Sequence, residues 1–302
     1  MPIIDYHYIR DNKTDAFKLP GYSRDAFRGH LDFLKNNYQI VRLDELVARK
    51  KEKKDIEKYC SIVFDDGIAD HYENAFPELI ARGISAFFFP IASVFDGKAP
   101  VTIKMHVVFS VMDCRKIASS LENYVNEKFG ASFPDFKVPV DHRINTEFRL
   151  KDDILTANLK QIIAELPLSV KDGFADSLFG VIVKDEKEFC KKFFMRPEQL
   201  KEMYNAGMGI GVHSYHHTSL KSLTPKEQEE DIVRARDIVE GIINDKIEAF
   251  SYPFGDYNHC SVDVLRGAGF RYGIVYNSRR VSLGDDDLLL STGEYDNFFK
   301  SK

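Results

Sequence analysis

The chain contains no tryptophan, few cysteines and no long hydrophobic run. Its four cysteines are too far apart for the close pairs of a zinc ribbon or a redox motif, and we expect them to be reduced: Cys60, Cys114, Cys190 and Cys260. No apolar stretch reaches the roughly 18 residues of a membrane-spanning helix, so we expect no membrane span. The first residues lack the basic and apolar regions of a signal peptide. These features predict a cytoplasmic protein.

The sequence also lacks a strong excess of charge of either sign. The formal net charge is -5, and lysine and arginine are spread along the chain, so nothing indicates a nucleic-acid partner. The one basic run, at residues 48–55, is interrupted by acidic residues, which is typical of a solvated helix end. Hydrophobic and charged residues make up 44% and 29% of the chain, as in ordinary globular proteins. The composition leaves the oligomeric state open.

Short apolar runs alternate with helical patterns at both ends of the sequence. Strand, helix, strand, helix is the order that builds a parallel α/β sheet, either open or closed into a barrel. The runs that predict buried strands are Ile3–Ile9, Gln39–Arg42, Cys60–Phe64, Ile84–Pro90, Met208–Val212, Glu248–Tyr252 and Tyr272–Tyr276. The intervening helices are predicted at Ser23–Asn36, Asp70–Arg82, Pro197–Asn205, Thr224–Ile243 and Ser261–Ala268.

The alternation stops between residues 96 and 195. This stretch contains helical patterns such as Arg115–Phe129 and Asp152–Leu166. We expect residues 1–95 and 196–302 to form the α/β barrel and residues 96–195 to be a mostly helical insertion. The insertion either shapes a substrate cleft or only covers one side of the fold.

Two adjacent carboxylates end one of the predicted strands. The sequence SIVFDDG runs from three apolar residues directly into Asp65 and Asp66. Two neighbouring aspartates repel each other, and neither is stable near a core without a partner. The pattern indicates either an ordinary transition from a strand into a turn, or a site that holds something cationic.

Histidines end another predicted strand, in GIGVHSYHHT. His213 and His217 are four residues apart, a spacing that places both imidazoles on one side of a helical turn. Two histidines and a carboxylate, with positions left for water, form the ligand set of a catalytic zinc site. A third strand ends in YPFG, where a proline-aromatic-glycine turn suggests backbone amides held in a fixed shape. Each of the two motifs alone is weak evidence.

Together the three stretches resemble the polysaccharide deacetylase family, also called the NodB-homology domain or carbohydrate esterase family 4. The resemblance rests on FDDG at Phe64–Gly67, HSxxH at His213–His217 and YPFG at Tyr252–Gly255, in that order. The longer contexts Ile62–Pro90 and Gly207–His217 also look like the family. The resemblance implies an irregular, incomplete (β/α) barrel with its site at the carboxyl ends of the strands.

By position, the resemblance assigns the metal ligands and the base. Asp66, His213 and His217 correspond to the family's metal-binding residues, and Asp65 to its catalytic base. The implied cofactor is a divalent metal ion, with zinc as the expected ion.

The third motif would hold the substrate. Its position implies that the backbone N–H of Phe254 helps to bind the oxyanion, and that Tyr252 and Pro253 contact the substrate. The expected partner is a carbohydrate that carries an N-acetyl group.

The sequence departs from the family in two places. The third motif usually begins with an arginine that contacts the base, and Ser251 stands in that region here. The last motif normally supplies a histidine as general acid, and the last predicted strand, Leu288–Ser291, has none. His7, at the end of the first strand, and His106, in the insertion, are the candidate replacements. Lys104, close to His106, is a candidate contact to an anionic substrate.

The leading expectation is metal-dependent hydrolysis of an amide, namely de-N-acetylation of an N-acetyl amino sugar in the biosynthesis of a surface polysaccharide or glycan. One alternative is a hydrolase of another C–N bond, as in cyclic amides or ureides. The other alternative is a catalytically silent domain that binds a glycan or a partner protein.

Overall fold

The computed structural model describes residues 1–10, 17, 19–53, 56–145 and 152–299. The chain divides into two compact units, and the strands all lie in the first. The first unit contains Met1–Asp15, Pro20–Pro100 and Lys187–Lys302, and the second contains Ala16–Leu19 and Val101–Glu186. The second unit therefore begins five residues later and ends nine residues earlier than the boundaries expected for the insertion (101 against 96, and 186 against 195).

Among the residues described, the first unit has eight strands, and their ladders are all parallel. In the sheet the strands follow the order β5-β4-β3-β1-β8-β7-β6, and β2 pairs separately with β3. A parallel bridge between Val212 and Phe250 links the two ends of this order. The predicted barrel is therefore confirmed as a nearly closed (β/α) fold. The strands are β1 Ile3–Tyr6, β2 Gln39–Ile40, β3 Tyr59–Asp66, β4 Phe87–Pro90, β5 Gly209–Ile210, β6 Ala249–Ser251, β7 Tyr272–Tyr276 and β8 Leu290–Glu294.

Twelve α-helices are present in the described residues. They are α1 Arg24–Asn37, α2 Leu43–Lys51, α3 Phe76–Arg82, α4 Val101–Val111, α5 Cys114–Phe129, α6 Ile154–Glu165, α7 Leu168–Ile182, α8 Glu186–Phe193, α9 Pro197–Asn205, α10 Pro225–Ile243, α11 His259–Gly267 and α12 Tyr295–Phe299. Ser23 caps α1 by accepting a hydrogen bond from the Ala26 amide. Gly83 ends α3 in the left-handed conformation (φ 63°).

The helix predicted at Asp70–Arg82 is divided into two parts. Its first part is a π-helical turn, His71–Ala75, which runs into α3. Asp70, at the start of the predicted range, makes no capping hydrogen bond with its carboxylate. Instead it forms a two-pronged ion pair with Arg10, at 2.5 and 2.8 Å.

In the second unit, the described residues form helices α4 to α7. Lys104 of α4 forms ion pairs with Asp176 of α7 at 2.6 Å and with Glu186 at 2.8 Å. Helix α7 has no counterpart in the sequence prediction. It contains Gly173 and Gly180, which lower helix propensity, but its apolar face is buried. No helix of the described part of the chain has the length and apolar content needed to cross a membrane.

The alternation of side chains along the strands separates two cores. One core, with Ile4, Ile62 and Phe64, packs against the helices. The other contains alternate residues of the same strands, such as Ile3 and Val63. Because successive side chains of a strand point to opposite faces, residues 5 and 65 continue the second row and not the first. This row, which we call the interior row, leads directly to the candidate site.

Glycines on β5 and just after it make room for the interior row. A Cβ added at Gly209 would lie 2.3 Å from the ring of Phe87, and one at Gly211 would lie 2.3 Å from the ring of Phe89. Two phenylalanine side chains thus fill space that β-carbons would otherwise occupy. This close packing supports the strand end from which His213 projects.

Candidate metal centre and active site

Polar residues extend the interior row at the carboxyl ends of the strands. Asp65 and Asp66 end β3, His213 follows β5, and Ser251 ends β6. In a parallel barrel these ends meet at one rim, which is the usual place of an active site. Three sequence-distant segments are thereby brought together.

Asp66, His213 and His217 form a compact group that we call the ligand cluster. The Nε2 atoms of the two histidines are 3.1 Å apart, and Asp66 Oδ1 lies 3.8 Å from Nε2 of His213 and 3.5 Å from Nε2 of His217. All three residues are buried. Asp66 and His217 have left-handed backbones, with φ of 74° and 55°. Such strain in residues other than glycine is concentrated at functional sites.

Hydrogen bonds hold both histidines of the ligand cluster in place. The Nδ1–H of His213 donates to the carbonyl oxygen of Ser251, at 2.8 Å, which leaves Nε2 facing the cluster. The backbone amide of His217 donates to Ser214 Oγ at 2.9 Å and so fixes the turn that carries it. His216, between them in sequence, bonds instead to Asp231 at 2.6 Å and is not part of the cluster.

The ligand cluster has the dimensions of a divalent-metal site. Ligand atoms at about 2.1 Å from a tetrahedral zinc lie about 3.4 Å from one another, close to the three separations observed. Asp66 Oδ1 is buried and has no hydrogen-bond partner among the described residues. Burial raises the pKa of Asp66 above its ordinary value, against the opposing charges of His7 and His213. A carboxylate in this position is best stabilised by a cation. The residues present therefore fit a metal ion.

Asp65 lies beside the ligand cluster. Its Oδ2 accepts a hydrogen bond from the Ser251 hydroxyl at 2.8 Å and lies 3.9 Å from His213 Nε2. Its Oδ1 is buried without a hydrogen-bond partner in the part of the chain that the structure describes. Ser251 thus contacts Asp65 through its hydroxyl and His213 through its carbonyl, from opposite ends of one residue.

Asp5, His7 and Asp65 form a second group, the proton-transfer cluster. Each offers a polar atom within 4.8 Å of the others. Nδ1 of His7 is 3.7 Å from Asp5 Oδ2, and the His7 side chain is 36% exposed. Burial alone would lower the pKa of His7, but the charges of Asp5, Asp66 and Asp65 outweigh it and raise the pKa to about 9.

His71 fixes the backbone at His7. Its Nε2 lies 2.6 Å from the His7 carbonyl oxygen, and the ring is fully buried. Burial lowers the pKa of His71 to about 3, so the ring is neutral and Nε2–H is the donor. Asn74 donates to the carbonyl of Ile9 at 2.7 Å, and Asp70 holds Arg10. The π-helical turn and the residue before it therefore fasten the chain that follows β1.

The third motif is partly buried. Tyr252 lies in the core against Phe250, and Pro253 is also buried. The predicted substrate contacts of Tyr252 and Pro253 stay predictions. Phe254 has a left-handed backbone (φ 61°) and a ring that is 50% exposed, 4.8 Å from the ring of His217.

The two remaining candidates lie in the second unit. Lys104 is buried and occupied by its two ion pairs. Burial would lower its pKa, but the hydrogen bonds to Asp176 and Glu186 raise it instead. His106 is half-buried on α4. Their predicted substrate contacts, and a catalytic role for His106, stay predictions.

Sequence reasoning missed Asp5 and His71 as members of the site. Asp5 could have been found, because a carboxylate inside an apolar strand and two residues before His7 points to the same side as His7. No local signal marks His71, whose role depends on a contact between segments 64 residues apart.

Comparisons with known proteins agree with the resemblance of the motifs. A family model described as polysaccharide deacetylase matches residues 176–273, which include both cluster histidines and the third motif. A Bacillus subtilis (strain 168) protein, "Putative polysaccharide deacetylase YxkH", is 20% identical over 276 residues, 91% of this chain. The match spans 63% of that relative's length.

Solved structures share the fold at low sequence identity. The deacetylase PplD of Streptococcus pyogenes, solved with acetate, has a TM-score of 0.61 at 16% identity, over 97% of this chain and 91% of that one. A de-N-acetylase from Aggregatibacter actinomycetemcomitans has a TM-score of 0.58 at 16% identity, over 100% and 96%. IcaB from Ammonifex degensii has a TM-score of 0.56 at 18% identity, over 97% and 90%. The family model, the curated relative and the solved structures are thus consistent with the resemblance of the three motifs to the polysaccharide deacetylase family, and the solved structures share the fold of this chain.

Proposed function

We propose that the protein is a metal-dependent de-N-acetylase that acts on an N-acetyl amino sugar of a polysaccharide or glycan precursor. The observation that carries the proposal is the convergence of Asp66, His213 and His217, at 3.1 to 3.8 Å, beside Asp65 at the strand ends. The overall reaction adds water to an acetamide and releases acetate and an amine.

The ligand cluster would hold one divalent ion, with zinc the ion that two imidazoles and a carboxylate favour. Bound there, the ion would supply positive charge that polarises an amide carbonyl and makes a water molecule more acidic. The chain's part is to fix this geometry, through the His213–Ser251 bond and the turn at Ser214.

Asp65 would act as the general base. Ser251 holds Oδ2, so Oδ1 is the oxygen left to accept a proton from the attacking water. The oxygen of that water then forms a bond to the acetyl carbon. The backbone N–H of Phe254, in its left-handed turn beside His217, would donate to the oxyanion, as the resemblance implies.

His7 would act as the general acid that the last strand lacks. Strand β1 lies between β3, which carries Asp65, and β8, so His7 follows the strand next to the expected one. In the last step the C–N bond breaks, its electron pair stays on nitrogen, and His7 gives that nitrogen a proton. Without this proton an amine is a poor leaving group.

The experiment combines metal content with turnover. We would measure bound zinc and acetate release from N-acetylglucosamine oligomers for the wild type, Asp66→Ala, His213→Ala and the control His216→Ala. We expect about one equivalent of zinc in the wild type and the control, and none in the two cluster variants. A wild type that binds no metal at any supplementation would contradict the proposal, as would turnover of cyclic amides alone.

A further inference from the structure

Asp5 is a buried charge that the proposed reaction does not use. It is 0% exposed, and neither of its carboxylate oxygens has a hydrogen-bond partner among the described residues. An isolated carboxylate is costly to bury, so it either takes up a proton or faces a cation. Burial, together with the nearby Asp65 charge, raises the pKa of Asp5 well above its ordinary range. Whether Asp5 takes up a proton or stays charged therefore depends on its neighbours.

The neighbours of Asp5 include one candidate cation. Asp65, Asp66 and Glu294 contribute negative charge around it, and His7 contributes the opposing charge. Asp5 and His7 are two residues apart at the end of β1, and Nδ1 of His7 is 3.7 Å from Asp5 Oδ2. His71 holds the His7 carbonyl oxygen through its Nε2, at 2.6 Å. The ring therefore has a fixed attachment and a carboxylate on its Nδ1 edge.

Charge balance at the strand ends agrees with this pairing. Asp5, Asp65 and Asp66 bring three negative charges into a buried region. One divalent ion and one imidazolium would bring three positive charges. A general acid carries its proton before it acts, so His7 in its working state is a cation that faces Asp5.

We infer that Asp5 is a positioning residue for His7: it holds the Nδ1 edge of the imidazole, so that Nε2 delivers the proton to the leaving amine. The inference rests on the proposed role of His7 as general acid. An aspartate behind a catalytic imidazole fixes the ring orientation in the same way in serine proteases, where its loss costs about 10⁴-fold in kcat. Here Asp5 lies on β1, and the histidine that it orients directly follows the end of that strand.

The test compares two substrates that differ in their need for an acid. Acetate release from an N-acetylglucosamine pentamer requires protonation of the leaving nitrogen, whereas 4-nitrophenyl acetate has a leaving group that departs without it. We expect Asp5→Asn to lower kcat for the pentamer by at least about 10²-fold. KM, bound zinc and ester turnover should change little. His7→Ala should give the same pattern.

Each other outcome overturns the inference in a distinguishable way. If His7→Ala lowers amide turnover and Asp5→Asn does not, the inference is wrong and the proposed function stands. If His7→Ala retains amide turnover, the proposed acid is wrong as well. If the wild type binds two zinc ions and Asp5→Asn binds one, Asp5, His7 and Asp65 form a second metal site. Loss of ester turnover in a folded Asp5→Asn protein would show that Asp5 has a structural role. If Asp5→Asn did not fold, Asp5→Ala would be measured in its place.

Discussion

The ligand cluster and the proton-transfer cluster lie at the same end of the barrel but are held in different ways. In the ligand cluster, every residue is buried and His213 is anchored by a hydrogen bond to Ser251. In the proton-transfer cluster, His7 is 36% exposed and Asp5 makes no hydrogen bond with a described residue. Metal binding needs a preset geometry, whereas an acid must reach a substrate that comes from solvent. The difference in exposure agrees with the different tasks proposed for the two clusters.

Loss of a metal ligand should have the largest effect. We expect Asp66→Ala and His213→Ala to lower kcat/KM for an N-acetylglucosamine oligomer by at least about 10³-fold. The charge of the ion is worth several kcal/mol, and each 1.4 kcal/mol is a factor of ten. Elemental analysis of the same preparations should show loss of zinc. A variant that lost zinc and kept its turnover would show that the ligand cluster takes no part in the mechanism.

Replacing Asp65 should separate the base from the metal. We expect Asp65→Asn to keep about one equivalent of zinc and to lower kcat by about 10²- to 10³-fold, because a general base contributes about that much. Single-turnover kinetics with bound zinc measured in parallel would check this. Loss of zinc together with activity would instead make Asp65 a ligand and merge the two clusters.

The pH dependence should report the proton-transfer cluster. Because the charges of Asp5, Asp66 and Asp65 raise the pKa of His7 to about 9, the ring keeps its proton at neutral pH and loses it as the pH rises. A bound cation would lower the pKa of His7, so the ring would lose its proton at a lower pH. We therefore expect kcat for the amide to fall on the alkaline side of the profile. Residual turnover of His7→Ala should lack that fall, and an identical fall in the variant would contradict the assignment.

The residues of the ligand cluster were identified as candidates because they lie in local motifs. His213 and His217 belong to one turn and Asp66 directly ends an apolar strand, but it was the resemblance that assigned them together as ligands. Alternation predicted a parallel α/β sheet, open or closed, and the resemblance implied the incomplete barrel. Neither the contact between Asp5 and His7 nor that between His71 and the His7 carbonyl has a spacing signature, because each depends on which strands are neighbours. Helix α7 was missed because its two glycines weaken the local signal, while burial of its apolar face stabilises it.

Removal of the Ser251 hydroxyl should lower kcat moderately, through its effect on the base Asp65 alone. Ser251→Ala removes the donor to Asp65 Oδ2 but keeps the carbonyl that orients His213. A hydrogen bond to a charged group contributes about 1.5–3 kcal/mol, so we expect kcat to fall by about ten- to a hundredfold with zinc unchanged. Ser291→Ala is the matched control, since Ser291 Oγ is also buried on a strand and has no hydrogen-bond partner in the described chain. Equal effects of the two changes would mean that the bond to Asp65 does not matter.

The smallest effect on turnover, and a clear one on stability, should come from His71→Gln. The glutamine amide can still donate to the His7 carbonyl, but it does not titrate. The pKa of buried His71 is lowered to about 3, below the value of about 6.5 in an unfolded chain. Its contribution to stability is therefore complete above pH 6.5 and is lost as the pH falls toward 3, by about 1.4 kcal/mol per pH unit.

Urea unfolding at several pH values would measure this difference. Between pH 6.5 and 5 the wild type should lose stability relative to His71→Gln. Asn74→Ala is the control: it removes a non-titrating bond to the same chain segment, the carbonyl of Ile9, so its curve should run parallel to that of the wild type. If the curve of His71→Gln also ran parallel, His71 would titrate alike in the folded and unfolded protein. His71 would then not act as a neutral ring that holds the backbone of His7, and only Asp5 would orient the acid.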